Sequence, residues 1–211
     1  MAARLEQIVR ATTRMAALVD EQLDIARVRA GPSLALDRVP LDLCHIVRRA
    51  VEEHRTVVRP GRLRLDSVAP PLTADVDAPR IARMLDNLLS NAIKFSPKDG
   101  DVTVTLGRAA GPDGSWAILT VADRGIGIPE SDLERLGERF FRGQNAVGRI
   151  AGTGLGLASA REVARGHGGT FTVASTENVG TTVTVCLPLH PAASEAASPV
   201  YAENNPGVGP S

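Results

Sequence analysis

The chain has 211 residues, 43% of them apolar and 3% aromatic, with 24 basic and 24 acidic side chains and a formal net charge of zero. That length suits one ordinary domain plus an extension, and the neutral balance excludes broad electrostatic affinity for nucleic acid or an anionic membrane. Cys44 and Cys186 form no spaced ligand set, and with no signal-peptide pattern and no apolar run near the roughly 20 residues of a membrane span, a soluble, cytoplasmic protein is expected.

Residues 2–30 carry a helical stripe of Leu5, Ile8, Met15, Leu18, Val19 and Ile25, stopped by Gly31-Pro32. A lone helix of about 29 residues cannot bury such a stripe on itself, so it either packs on the domain behind it or pairs with another helix. The length of the stripe favours pairing. After a short apolar piece, Leu34–Leu36, a second helix is expected over 41–56 with Ile46, Val47, Ala50 and Val51 inward. His45 and His54 on it read as surface or boundary histidines. Short strands are expected over 62–66 and 72–76.

The stretch 77–97 reads as one helix with two jobs. Ile81, Leu85, Leu88, Leu89, Ala92 and Ile93 make a broad apolar face. Asn87, Asn91 and Lys94, four and three residues apart, share a different face. Asp77 suits the cap, Pro79 the first turn, and Ser96-Pro97 ends the run. A solvated polar face is the plainer reading of the three polar residues. Against it, asparagine costs roughly 0.5 kcal/mol relative to alanine inside a helix, and two of them one turn apart need a reason. A carboxamide oxygen is a neutral, hard ligand suited to Mg²⁺, and a lysine one turn on suits phosphate.

Strands are expected over 102–106 and 116–122, joined by a turn at Gly111-Pro-Asp-Gly114. The second runs into Asp123-Arg-Gly125-Ile-Gly127-Ile128-Pro129, where glycines let a flat ligand approach the main chain. A carboxylate there only accepts hydrogen bonds, which suits the exocyclic amine of adenine and not the oxygen of guanine; a simple strand-ending turn is the alternative. A short helix is expected over 133–136, followed by Phe140-Phe141-Arg142 and an aperiodic segment, 143–153. Gly152-Thr153-Gly154-Leu155-Gly156 opens a helix through about Arg165, and main-chain amides at such a start favour phosphate. His167, in Gly166-His-Gly-Gly169, reads as a partner of the helix dipole and nothing more. Strands over 170–174 and 181–187 complete a sheet, and the Ala-, Ser-, Pro- and Gly-rich residues 191–211 read as a disordered tail. Residues 1–31, 32–190 and 191–211 are therefore read as separate units. The fold class is α/β, a two-layer sandwich with a mixed sheet covered by helices on one face and preceded by one long helix.

Four signals occur in one order: Asn87-x-x-x-Asn91-x-x-Lys94, Asp123-x-Gly125-x-Gly127, Phe140-Phe141-Arg142 and Gly152-x-Gly154-x-Gly156. Together they resemble the ATP-binding domain of sensor histidine kinases, in the superfamily shared with Hsp90, gyrase and MutL, over roughly residues 34–188. The resemblance implies that Asn87 and Asn91 hold Mg²⁺ and that Lys94 contacts phosphate. It implies that Asp123 takes the adenine amine beside Gly125, Gly127 and Ile128, and that Phe140, Phe141 and Arg142 begin a nucleotide lid. Gly152, Thr153, Gly154, Leu155 and Gly156 then cradle the phosphates, with Asn87, Lys94 and Arg142 serving the transfer itself. ATP-hydrolysing members resemble one another in placing glutamate where Asn87 stands; an asparagine cannot accept water's proton, which favours transfer to another acceptor.

Residues 2–30 resemble the second helix of the kinase dimerisation hairpin, ending in Leu23-Asp-Ile-Ala-Arg-x-x-Ala-Gly31. The first helix of that hairpin should carry a histidine followed by an acidic residue. Here His45 precedes Ile46, His54 precedes Arg55, His167 precedes Gly168 and His190 precedes Pro191. The resemblance therefore implies a histidine-bearing partner chain, a response regulator and a homo- or heterodimer through residues 2–30, with ATP and Mg²⁺ as cofactors. A silent nucleotide-binding regulatory module and an anti-sigma-type serine kinase share the same pocket and remain as alternatives.

Overall fold

Apolar residues alternate with small or hydroxylated ones along three neighbouring strands, and that period-2 pattern decides which face of the sheet is buried. The computed structural model describes residues 36–67, 71–97, 100–111, 114–138, 140–147, 150 and 152–190. The helix expected over 2–30 and the tail expected over 191–211 lie outside the described residues. Strands β2 (Leu63–Ser67), β4 (Val102–Gly111), β5 (Gly114–Asp123), β6 (Thr170–Thr176) and β7 (Gly180–Pro188) form one sheet in the order β2-β4-β5-β7-β6. β2 runs parallel to β4, and every other pairing is antiparallel. The register sets Val104 beside Val121 and Val121 beside Val183, then Leu106 beside Leu119 and Leu119 beside Val185. All six are buried. Thr105, Thr120 and Thr184 align on the opposite face, where they are only half-buried.

Helices cover the apolar face. α1 (Leu43–Arg55) starts at Asp42, whose carboxylate accepts from the Cys44 amide at 3.0 Å and from the Leu72 amide at 3.0 Å. The cap thus also ties the helix to the chain entering β3 (Thr73–Val76). The helix begins two residues later than expected because Val39–Asp42 forms a strand, β1, antiparallel to β3 in a separate two-stranded ribbon. α2 (Ala78–Phe95) keeps its expected limits: Asp77 caps it through the Arg80 amide at 3.2 Å, and extended Ser96 ends it before Pro97. Ile81, Met84, Leu85, Leu88, Leu89 and Ala92 are buried along one side, against α1, β5 and α4 (Gly156–Gly166). Losing one such side chain to alanine costs about 2–5 kcal/mol.

Two further helix boundaries differ from the sequence expectation. The short helix α3 is Glu130–Leu133, not 133–136, because Pro129 fixes the backbone at its N-cap and the helix starts directly after it. α4 begins at Gly156 and not at Gly152. Gly154 has φ +76°, a left-handed conformation that cannot belong to a right-handed helix, so the glycine-rich residues form a loop leading into it.

Candidate functional site

The polar side of α2 floors a cavity of about 270 Å³. Asn87, Asn91 and Lys94 all line it, clear of the apolar stripe. The glycine-rich loop passes directly over them. A Cβ on Gly156 would lie 3.5 Å from Asn87 Oδ1 and 3.5 Å from Asn91 Nδ2, and one on Gly152 would lie 2.9 Å from Lys94 Nζ. Among the described residues the buried nitrogen of the Asn87 amide has no hydrogen-bond partner. A buried polar group left unpaired costs about 1–3 kcal/mol, and rotating the amide by half a turn puts its oxygen at the same spot. Lys94 has its pKa lowered, first by desolvation and then by the Arg142 guanidinium nearby. Two cations held close together favour an anion between them.

The other end of the cavity is built from β5, β7 and the loop after β5. Val121 and Val183 supply apolar wall, and Asp123 stands at the strand end beside Thr181. Asp123 Oδ1 accepts from the Gly125 amide at 2.7 Å. Burial raises the carboxyl's pKa above its ordinary value, while the amides of Gly125 and Thr181 pull it down by less. Gly127 has φ +60°, and a Cβ there would sit 2.0 Å from the Thr176 carbonyl oxygen. Only glycine lets the β6–β7 turn close against this loop. The Ile126 amide donates to the Phe95 carbonyl at 3.2 Å, and so joins the loop to the end of α2.

The third wall follows α3. Phe141 faces the cavity, and Arg135 lies 4.4 Å from its ring centroid. Arg142 donates to the carbonyls of Ala146 and Ile150, curling the segment that begins at Gly143. Buried Asp132 accepts from the Gln144 amide at 2.8 Å, and the Asn145 side chain donates to the Gly127 carbonyl at 3.1 Å. This segment is thus tied both to α3 and to the loop after β5.

Of the residues singled out in the sequence, Asn87, Asn91, Lys94, Asp123, Gly127, Ile128, Phe141, Arg142, Gly152, Thr153, Gly154 and Gly156 are brought together around one cavity. Three are not in its wall. Gly125 lies behind Asp123, where a Cβ would meet the Phe95 carbonyl oxygen at 2.5 Å. Leu155 is buried at the N-cap of α4. Phe140, at φ +68°, is turned out to solvent with 58% of its surface exposed. Sequence reasoning missed Asn145, Thr181 and Val183, which also line the cavity. Strand register with β5 places the last two there, and no local spacing reports that. His167, expected as a partner of the helix dipole and nothing more, does contact the last turn of α4 at the Val163 carbonyl, but it is also buried and accepts the Asp77 amide at its Nε2.

The donor set suits a magnesium nucleotide at one end and an adenine at the other. Two neutral amides, one of them unpartnered, fit Mg²⁺, which takes few protein ligands and completes its shell with phosphate and water. Among the described residues no group of three or more His, Cys, Asp or Glu side chains is placed to hold a metal. No helix among the described residues is long and apolar enough to cross a membrane.

Residues 76–191 match the family described as Histidine kinase-, DNA gyrase B-, and HSP90-like ATPase. The chain is 40% identical over 184 residues to histidine protein kinase DivJ of Caulobacter vibrioides, covering 86% of this chain and 30% of DivJ. The chain spans less than half the length of the curated relatives it matches. Among solved structures, a mycobacterial sensor histidine kinase, MprB, aligns with a TM-score of 0.62 at 31% identity, covering 73% of this chain and 100% of that one. Full-length ShkA in complex with AMPPNP aligns with a TM-score of 0.68 at 26% identity, covering 85% of this chain and 36% of ShkA. A family match over more than half of the chain, together with all of the MprB chain, means that this protein belongs to the Histidine kinase-, DNA gyrase B-, and HSP90-like ATPase family, as a catalytic ATP-binding domain of the sensor histidine kinase type.

Proposed function

We propose that the chain transfers the γ-phosphoryl group of Mg-ATP to a histidine on another chain, from which it passes to an aspartate of a response regulator. One observation carries the choice of transfer over hydrolysis. Among the described residues Asp123 is the only carboxylate in the cavity wall, and it stands at the base end. Among the described residues the phosphate end offers amides and cations and no carboxylate that could take a proton from water.

In this reading Asp123 accepts the adenine amine, with Gly127, Ile128 and the Val121 and Val183 side chains packing against the ring. Asn87 and Asn91 would hold Mg²⁺, which supplies charge neutralisation at the phosphates. Lys94 and Arg142 bind phosphate oxygens, and the loop from Gly152 to Gly156 offers main-chain amides. A loose phosphoryl transition state asks little more of a protein than position and charge. The acid–base group beside the acceptor histidine belongs to the other chain. Residues 1–31 would be the dimerisation helix, residues 32–190 the kinase unit and residues 191–211 a tail, in a cytoplasmic homo- or heterodimer. DivJ and MprB, named as histidine kinases, support the class of reaction.

The test is labelling in trans. Incubated alone with γ-labelled ATP, the chain should gain no acid-labile, base-stable phosphate. Mixed with a chain that supplies a histidine-bearing helix, it should transfer label, and Asn91→Ala should stop the transfer. Self-labelling lost on replacing one of the chain's own histidines would refute the missing-acceptor argument. ATP binding without transfer to any supplied helix would favour a regulatory nucleotide-binding module.

A further inference from the structure

His167 closes α4 and is 2% exposed. Its Nε2 accepts the backbone N–H of Asp77 at 3.0 Å, and its Nδ1 lies 2.8 Å from the Val163 carbonyl oxygen. An N–H can only donate, so Nε2 is unprotonated; a carbonyl oxygen can only accept, so Nδ1 carries the proton. The geometry thus fixes one neutral tautomer. Burial lowers the imidazole's pKa, outweighing the opposite pull of the Val163 carbonyl. The ring is held to its own helix at Val163 and reaches across to the residue that caps α2.

The two helices so joined both contribute to the wall of the cavity. At its other end α4 starts with Gly156, over Asn87 and Asn91, so the helices run antiparallel. At 1.5 Å per residue, about 16 Å of α4 separates Gly156 from His167, and about 15–21 Å of α2 separates Asp77 from the two asparagines. A helix transmits displacement along its axis almost rigidly. Any slip at His167 therefore appears at Gly156 as a change in its distance from the two amides.

We propose that His167 is a positioning residue that pins the axial register of α4 against α2, and so sets the spacing between the glycine-rich phosphate loop and the Asn87 and Asn91 amides. The inference rests on the nucleotide reading above. The base pocket is not set by this register, because Asp123, Gly127, Val121 and Val183 come from β5, β7 and their loop. His167 therefore governs the grip on the triphosphate and leaves the grip on adenine alone.

Two substitutions in the full chain separate this role from general packing. In His167→Gln the amide oxygen takes the place of Nε2 and can still accept from Asp77. In His167→Asn the amide nitrogen replaces Nδ1 toward Val163, and the Asp77 N–H loses its partner. Mg-ATP binding is measured by calorimetry, and AMP binding by the amide shifts of Gly125 and Gly127. His167→Asn should weaken Mg-ATP by about tenfold and AMP by no more than about twofold, and His167→Gln should restore Mg-ATP to within about threefold of the parent. Equal loss of both nucleotides, or no loss of Mg-ATP, in His167→Asn would overturn the proposal. An unsubstituted chain that bound neither nucleotide would overturn the reading beneath it, and the proposal too. The imidazole nitrogen shifts of the unsubstituted chain need no variant to fold: a proton on Nε2 at neutral pH would also overturn it.

Discussion

Replacing Asp123 separates what its carboxylate does for a nucleotide from what it costs the fold. One oxygen accepts from the Gly125 amide at 2.7 Å, and burial raises the carboxyl's pKa above its ordinary 3.8. Asp123→Asn keeps an oxygen for Gly125, removes the desolvated charge, and can set an NH₂ group against the adenine amine, donor against donor. The free chain should therefore melt at an unchanged or higher temperature. Its affinity for Mg-ATP should fall by one charge-assisted hydrogen bond, about 1.5–3 kcal/mol or roughly 10- to 150-fold. Asp123→Ala should lose as much affinity and also lower the melting temperature, because it strips the Gly125 amide of its acceptor. The pH dependence follows the same group. The ionised form binds, so affinity is full above the raised pKa and falls as pH drops through it. The cost to the fold runs the other way, since stability declines as pH rises from 3.8 through the raised value. Calorimetry with Mg-ATP and Mg-GTP, beside thermal melts of the two variants, checks both halves. Equal affinity for the two nucleotides in the unsubstituted chain, or an Asp123→Asn affinity within twofold of it, would refute the reasoning.

Two further outcomes concern the scaffold around the site. Buried Arg62 donates to the carbonyls of Ile93 at 2.8 Å, Gly100 at 3.0 Å and Pro97 at 3.1 Å, closing the C-terminus of α2. Arg62→Ala should cost about 3 kcal/mol, a drop of about 1.5 M in the urea midpoint; a loss under about 1 kcal/mol would show that water replaces the guanidinium freely. His54 and His167 should shape stability against pH in opposite senses. The Asp86 carboxylate, 3.2 Å away, raises the His54 pKa above 6.5, so that contribution is complete below pH 6.5 and is lost as pH rises through the raised value. His167, with its pKa lowered by burial, adds stability that is complete above pH 6.5 and is lost as pH falls through its folded value. Denaturation across pH 5–8 should show a maximum near 6.5, with Asp86→Asn flattening the alkaline limb and His167→Gln the acid limb.

Most of the site could be read in the sequence because most of it is local. Asn87, Asn91 and Lys94 share a face through helical spacing alone, and Asp123 is placed by the end of a strand whose alternation is visible. Asn145 and His167 needed three dimensions. Asn145 reaches back to Gly127, and His167 reaches Asp77 across 90 residues of sequence. The clue that was present is Gly168-Gly169: a Cβ on Gly169 would lie 2.2 Å from the Cys186 carbonyl oxygen, so the chain after α4 must pass close under β7 and carry His167 inward. Arg62 escaped notice for the opposite reason. An arginine beside a strand ordinarily faces water, and only the meeting of β2 with the end of α2 buries it.

The parallel pairing of β2 with β4 carries a consequence for how the protein comes to be folded. Parallel neighbours cannot be joined by a hairpin, and here the polypeptide between them contains β3 and the whole of α2. The edge of the sheet cannot zip until that helix has been laid across it. Loop-closure entropy must be spent before the non-local contacts repay it, which makes this closure a slow step compared with the hairpins β4–β5 and β6–β7. The helix that completes the architecture is also the one bearing Asn87, Asn91 and Lys94. Assembly of the sheet and placement of the helix that floors the cavity are therefore one event, so a chain with its edge strand in place already has Asn87, Asn91 and Lys94 in the cavity wall.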